Sequence, residues 1–175
     1  MNEVPTFPLP QPGWSMRAWR AGDVAALAQA ANDERILQWM SDTWPSPYTE
    51  GDARWWIETG QHASGMAWAL CQHDVPRGGA GLHPRSGFLR CNGEVGWWLH
   101  PDHWGQGVVP AAAAQVVQQA FALPEVTRVF APIHAGNARS VRVAEKVGMR
   151  LEAVQPRSAF KRGQVIDRVV YAAYC

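Results

Sequence analysis

No stretch of this chain of 175 residues approaches the roughly eighteen consecutive apolar residues that suggest a membrane-spanning helix, so no membrane partner is expected. Net charge is almost absent. The 16 basic and 15 acidic side chains leave a formal +1, and no overall field recommends nucleic acid or an anionic surface. Cysteine is scarce: Cys71, Cys91 and Cys175 form an odd set without CxxC spacing, which favours free thiols over a disulfide framework. A secretory start is lacking as well. The opening MNEVPTFPLPQPGW carries an acidic residue and four prolines, where a signal would need a basic start followed by an apolar run. A cytoplasmic protein is expected, with a loose N-terminal arm over 1–13 and one domain over 14–175. No internal repeat, low-complexity tract or second domain is visible. What is abundant is tryptophan, with ten residues, most of them expected in the core or in cleft walls.

Alternation and helical spacing then divide the chain. Residues 14–20 predict a first strand, and Asp23 precedes an Ala/Leu-rich helix ending near Asn32. A second helical region over 33–61 is broken by Trp44-Pro45-Ser46-Pro47-Tyr48, because two prolines preclude a continuous helix, and Thr49 can cap the restart. Short strands are predicted over 66–72 and 79–82, with a turn over 73–78. Asn92-Gly93 predicts a tight hairpin turn, since such pairs supply the positive φ that a type I′ turn needs, and a strand follows over 94–99. The clearest helix carries Val109, Ala112, Ala113, Val116, Val117, Ala120 and Phe121 on one apolar stripe. Residues 126–133 predict a strand, 138–147 a helix stopped by Gly148, and 149–155 and 164–174 two final strands.

The segment Trp104-Gly105-Gln106-Gly107-Val108-Val109-Pro110 lies between a predicted strand and the clearest helix. Glycines there let a backbone approach a pyrophosphate, and a helix start offers free N–H groups and a favourable dipole end. In isolation the heptapeptide better suits a plain strand-to-helix turn, so its context decides. A P-loop is poorly supported because no Lys-Ser or Lys-Thr pair follows. A dinucleotide-binding fold is poorly supported because its third glycine falls on Pro110, and Glu125 precedes the next strand instead of ending it.

In this context the chain resembles the GNAT acetyltransferases, whose signature Gln/Arg-x-x-Gly-x-Gly/Ala aligns with Trp104 through Val109. Trp104 and Val109 depart from it and Gly107 meets it. Glu94-Val95-Gly96-Trp97-Trp98-Leu99-His100-Pro101 with Trp104-Gly105-Gln106-Gly107 is similar to the branch containing ribosomal-protein N-terminal acetyltransferases (RimJ/RimL type), in which tryptophan at the first signature position is common. So are Asn137-Ala138-Arg139-Ser140 and Glu145-Lys146-Val147-Gly148-Met149. The resemblance implies an α/β (α+β) fold in a single domain: a mixed, mostly antiparallel sheet of six or seven strands with about four helices, in which the fourth and fifth strands splay. It implies acetyl-CoA as cosubstrate, with no metal. Backbone amides of Gly105, Gln106, Gly107, Val108 and Val109 would bind its pyrophosphate beside Trp104. The backbone of Trp98 and Leu99, together with Asn137, would hold its pantetheine arm. Pro110 brings no N–H, yet suits a first helical turn.

Acetyl transfer to an amine needs a neutral nucleophile, stabilisation of charge on the thioester oxygen and a proton for the thiolate. The resemblance points to Ser140 as the proton or hydrogen-bond donor to sulfur, since Ala144 stands where many members use a tyrosine. The alternative for Ser140 is satisfying backbone donors at a helix start, and Asn137 can be a helix cap. Glu94 is similar to the carboxylate that several members use as a base through water, and can equally be a charge at a hairpin edge. A second carboxylate of the ribosomal-protein branch aligns with Ala159. His100 and His103 lack a third metal ligand, Cys71 and Cys91 suit packing, and Lys161 and Arg162 suit a solvated turn. The expected partner is an amine, on a small molecule or a protein N-terminus, with an α-amine or similar low-pKa amine favoured. Either a monomer or a homodimer is compatible. A non-catalytic acyl-CoA-binding or interaction module with the same fold is the alternative.

Overall fold

The computed structural model describes residues 4–63 and 65–175. Among them eight strands form one sheet: β1 (Phe7–Pro8), β2 (Trp14–Ala18), β3 (Met66–Gln72), β4 (Val75–Pro84), β5 (Asn92–Leu99), β6 (Arg128–His134), β7 (Arg150–Lys161) and β8 (Gln164–Tyr174). Their spatial order is β1-β2-β3-β4-β5-β6-β8-β7. Neighbours are antiparallel except β5 and β6, which run parallel. The helical segments are α1 (Val24–Ala31), α2 (Glu34–Leu37), α3 (Glu50–Trp55), α4 (Gln61–Ala63), α5 (Val108–Phe121) and α6 (Ala138–Lys146), with a π-helical stretch Trp56–Gly60 joining α3 to α4. The expected six or seven strands become eight because the two-residue β1 adds an edge. The family's fourth and fifth strands are therefore β5 and β6 here.

Helices cover both faces of the sheet. A parallel pair needs a crossover connection, and α5 supplies it between β5 and β6. Val108, Ala112, Ala113, Val116, Val117 and Ala120 are the buried side of α5, and all but Ala113 pack with Leu82, Val95, Leu99, Val129 and Ala131 in the larger core. On the opposite face, Val24, Leu27 and Ala31 of α1 and Ala53 of α3 pack with Ala67, Ala69 and Cys71 of β3. A charged pair is built into this side: the Arg17 fork, 3% exposed, donates to both Asp23 oxygens at 2.8 and 3.0 Å. The predicted cap is in place, since Thr49 Oγ1 accepts from Asp52 N–H at 3.2 Å.

Two sequence expectations are corrected. Residues 4–13 are docked rather than loose. Phe7 pairs with Met16 and Pro8 with Ser15, Leu9 is buried, and the Pro5 carbonyl accepts from Trp68 Nε1 at 2.9 Å. A buried indole N–H needs an acceptor, and the open edge of β2 takes a strand. Residues 1–3 of the expected arm lie outside the described residues. Asn92-Gly93 is not a hairpin turn but the start of β5, and a loop over 85–91 with a 3-10 turn at Gly87–Leu89 makes the connection. Asn92 closes that loop by donating to the Leu89 carbonyl at 3.0 Å. Gly93 gives room for packing: a Cβ on it would stand 3.0 Å from Leu82 Cδ1. The tight hairpin turn is instead His73-Asp74, with φ of 49 and 66, and Arg17 Nε holds Asp74 Oδ1 at 2.5 Å.

Candidate active site

The parallel pairing of β5 with β6 covers only Asn92 with Arg128, Gly93 with Val129 and Glu94 with Phe130. Beyond Glu94 the two strands part, and a cavity of about 720 Å³ opens between them, within the size range of small-molecule sites. Val95 to Leu99 form one wall and Ala131 to His134 the other. Strand alternation sorts the side chains. Val95 and Leu99 turn into the core under α5, whereas the register pairs His83 with Glu94 and Phe130 with Ala172, placing His83, Glu94, Phe130, Pro132 and His134 on the opposite face. Arg168 joins that face opposite His134.

One end of the cavity is the start of α5. Gly107 is its N-cap at φ 79 and ψ 4, a left-handed conformation that costs other residues energy. The first helical bond runs from Ala111 N–H to the Gly107 carbonyl at 3.2 Å, so the Val108 and Val109 amides precede the hydrogen-bonded ladder. Gly105, Gly107, Val108 and Val109 line the cavity, as do Trp98, Leu99, Trp104, Asn137 and Ser140; Gln106 is exposed and does not. A Cβ on Gly105 would meet nothing within 4 Å, leaving the backbone open to a ligand. Trp104 has a structural task here: its Nε1 donates to the Leu99 carbonyl at 2.7 Å, and the Arg139 guanidinium lies 4.4 Å above its ring. This bond ties the loop to the end of β5.

Asn137 caps α6, its Oδ1 accepting from Ser140 N–H at 3.2 Å. That cap leaves the Ser140 hydroxyl without a capping duty, and Ser140 faces the cavity. Ala144 is fully buried on the inner side of α6, so the position where many family members use a tyrosine points into the core here. Glu94, 28% exposed in its side chain, is held by Arg85, which donates to its Oε2. Ala159 lines the cavity, so the second carboxylate position of the ribosomal-protein branch faces the site without a charge.

The roof and far wall come from residues that motif reasoning did not single out. Arg35, Ile36, Trp39, Met40 and Ser41 descend from α2 and the segment after it, and Phe160 comes from β7. The β7–β8 turn is pinned to them by Arg162 to Glu34 and by Lys161 Nζ to Asp42 at 3.2 Å. His134 meets the Trp39 ring edge-on at 6.2 Å. Burial first, then the charges of Lys161 and Arg168, hold its imidazole below the ordinary histidine value, with Asp42 opposing. The available signal for His134 was its alternation with Phe130 and Pro132 on a strand leading to Asn137; Trp39 was among the tryptophans expected in the core or in cleft walls, and Phe160 had no signal. His100 accepts from Asp102 N–H at 3.4 Å, and His103 packs edge-on against Trp14 at 5.2 Å. Cys71 is buried, which pushes its thiol up to about 12, and Cys91 and Cys175 are exposed free thiols. No helix among the described residues is long and apolar enough to cross a membrane.

Comparison with known proteins agrees with this geometry. Residues 15–150 match the family described as an acetyltransferase (GNAT) domain. YoaA, an uncharacterized N-acetyltransferase of Bacillus subtilis (strain 168), is 26% identical over 114 residues; the match covers 64% of this chain and 64%, under two thirds, of that relative. YnaD, an uncharacterized N-acetyltransferase of the same organism, is 23% identical over 159 residues, covering 90% of this chain and 91% of its own. The structure of Mycobacterium smegmatis RimJ in complex with CoA-disulfide superposes with a TM-score of 0.84 at 20% identity, covering 97% of this chain and 87% of that one. That likeness is one of fold.

Proposed function

The chain belongs to the GNAT acetyltransferase family, and from that premise we propose that it transfers an acetyl group from acetyl-CoA directly to an amine. The observation that carries this reading is the single cavity across the parted strands β5 and β6, which joins the helix-start amides at one end to Ser140 and Glu94. Bound acetyl-CoA supplies an activated thioester. The amides of Gly105, Gly107, Val108 and Val109 suit its diphosphate, since they approach without side-chain obstruction at the positive end of α5. The edges of β5 and β6 beyond Glu94, with Trp98, Leu99 and Asn137 beside them, suit its amide-bearing arm. Ser140 is assigned as hydrogen-bond donor to the leaving sulfur, because Asn137 already caps the helix. Glu94 is assigned as proton acceptor through water, with Arg85 fixing one of its oxygens.

The acceptor is proposed to be an α-amine or a comparably weak base. An amine of pKa near 8 costs about 1 to 1.4 kcal/mol to deprotonate at pH 7, whereas a lysine near 10.4 costs about 4.6 kcal/mol. A single solvent-accessible carboxylate is a weak base and suits the first. The test is thiol release from acetyl-CoA against an amine panel, then a rate profile from about pH 6 to 10 for the wild type and Glu94→Gln. The variant is expected to lose turnover and shift the acidic limb upward. An unchanged profile removes Glu94 from the chemistry, and absence of thiol release with every amine favours a non-catalytic acyl-CoA-binding module.

A further inference from the structure

The ionisable groups lining the cavity are lopsided in sign. Arg35, Arg139, Arg142, Lys146 and Arg168 bring positive charge, and the carboxylate among the lining residues, Glu94, is already held by Arg85. Most of the cations are accounted for. Arg139, Arg142 and Lys146 lie on α6, which begins beside the helix-start cradle where a polyanionic cosubstrate would sit, and Arg35 is paired with Asp33 at 2.7 Å. Arg168 differs. It is half-buried on β8, on the face shared with Glu94, Pro132 and His134 and away from α5 and α6. Its Nε donates to Ser158 Oγ at 3.2 Å, which fixes one edge of the fork. Among the described residues no carboxylate pairs with it, and neither terminal nitrogen makes a hydrogen bond. His134 is its register partner, and burial together with the charges of Lys161 and Arg168 favours the neutral imidazole, against the Asp42 carboxylate that pairs with Lys161.

A guanidinium with both terminal nitrogens free inside a cavity is a two-pronged receptor for a planar carboxylate or for two oxygens of a phosphate. We propose that the acceptor is a small amine that also carries an oxyanion, a carboxylate or a phosphate, and that Arg168 binds this group in the part of the cavity walled by Trp39 and His134. This rests on the acetyl-transfer reading for the amine and not on the weak-base preference, because an anion beside an amine raises its pKa and pairing with Arg168 offsets that rise; the anion site stands on Arg168 and its surroundings. Arg168 is a specificity-determining residue in this scheme. Trp39 gives the rest of the acceptor an apolar wall, and a protein N-terminus, which need carry no oxyanion close to its amine, is disfavoured.

The test compares matched pairs on the full-length protein loaded with coenzyme A. Calorimetry measures N-acetyl-leucine against N-acetyl-leucinamide, and phosphoethanolamine against ethanolamine, while thiol release from acetyl-CoA, at an alkaline pH where both amines are mostly neutral, measures leucine against leucinamide. Loss of a charge-assisted hydrogen bond corresponds to roughly tenfold or more in affinity, so at least one anionic member is expected to bind roughly tenfold more tightly than its neutral partner. Preference in the first pair marks carboxylate as the source, and preference in the second marks phosphate. Arg168→Gln is expected to abolish the preference and Arg168→Lys, which keeps charge without the fork, to retain part of it. If Arg168→Gln does not fold, the reduced preference of Arg168→Lys is read instead. Equal binding within both pairs in the wild type, or a preference that survives substitution in full, overturns the proposal. Discrimination in binding with no thiol release from any amine of the panel refutes acetyl transfer and supports the anion site; thiol release at equal rates for acid and amide, with equal binding, does the reverse.

Discussion

Replacing Gly107 by glutamate separates the anion cradle from the stability of the fold. Gly107 sits at φ 79, and a Cβ built on it would stand 3.2 Å from Gln11 Nε2. The backbone strain of a side chain in this left-handed conformation is about 1–2 kcal/mol, against a total of about 5–15 kcal/mol for a typical domain. The near neighbour is the end of a flexible side chain, which can move aside. The variant is therefore expected to fold, with a modestly lowered melting temperature. Binding is affected differently, because a carboxylate placed about 5 Å from a diphosphate charge costs about 3 kcal/mol at an effective dielectric constant near 20. That energy corresponds to more than about a hundredfold in Kd. Gly107→Ala carries the strain without the charge and is expected to lose comparable stability and less affinity. Calorimetry with coenzyme A, at low and high salt, and thermal unfolding of the three proteins measure both quantities. A folded Gly107→Glu protein with wild-type affinity would refute the assignment of the α5 start as the diphosphate site.

Ser140→Ala is expected to lower kcat more than coenzyme affinity, because a hydrogen bond to sulfur strengthens as negative charge arrives there; a change confined to KM would make Ser140 a binding residue. Asp23→Ala is expected to destabilise the protein by about 3 kcal/mol in denaturant unfolding, since it strips a buried guanidinium of its bidentate partner and leaves the exposed Asp74 to compensate; a loss under about 1 kcal/mol would contradict that account. NMR titration of His134 is expected to give a pKa below the ordinary 6.5, rising in Arg168→Gln as one of the depressing charges is removed. The sign follows from the neutral form being favoured in the folded state: protonation as pH falls below that ordinary value then works against folding. An unshifted His134 would mean that neither burial nor Arg168 acts on it.

The helix-start cradle was legible in the sequence because it is local. Two glycines, a following helix stripe and the order of three short motifs all lie within 94–149, and each depends on neighbours only a few residues away. The same locality explains why α5 lies at 108–121 where helical spacing put it, and why Thr49 caps α3. Asn92-Gly93 shows the limit of such local signals. Its turn propensity was overridden by pairing along β5 with β4 and β6 and by the close approach of Leu82, a contact between separate strands that no dipeptide records. The N-terminal arm failed for the same reason, since its order comes from a free strand edge and from an indole of β3 that needs an acceptor.

What the amino-acid sequence determined by itself was the periodicity of its elements, the glycine conformations at the head of α5 and the presence of Ser140 and Asn137 in one helical turn. These depend on backbone geometry and on side chains at fixed local spacing. The tertiary structure decided which face each strand residue presents, that β5 and β6 part after Glu94, and that Trp39, His134, Phe160 and Arg168 meet in one cavity. Those four residues lie far apart along the chain or on different strands, and the meeting of the three strand residues depends on register, where a slip of one residue would turn a side chain to the opposite face.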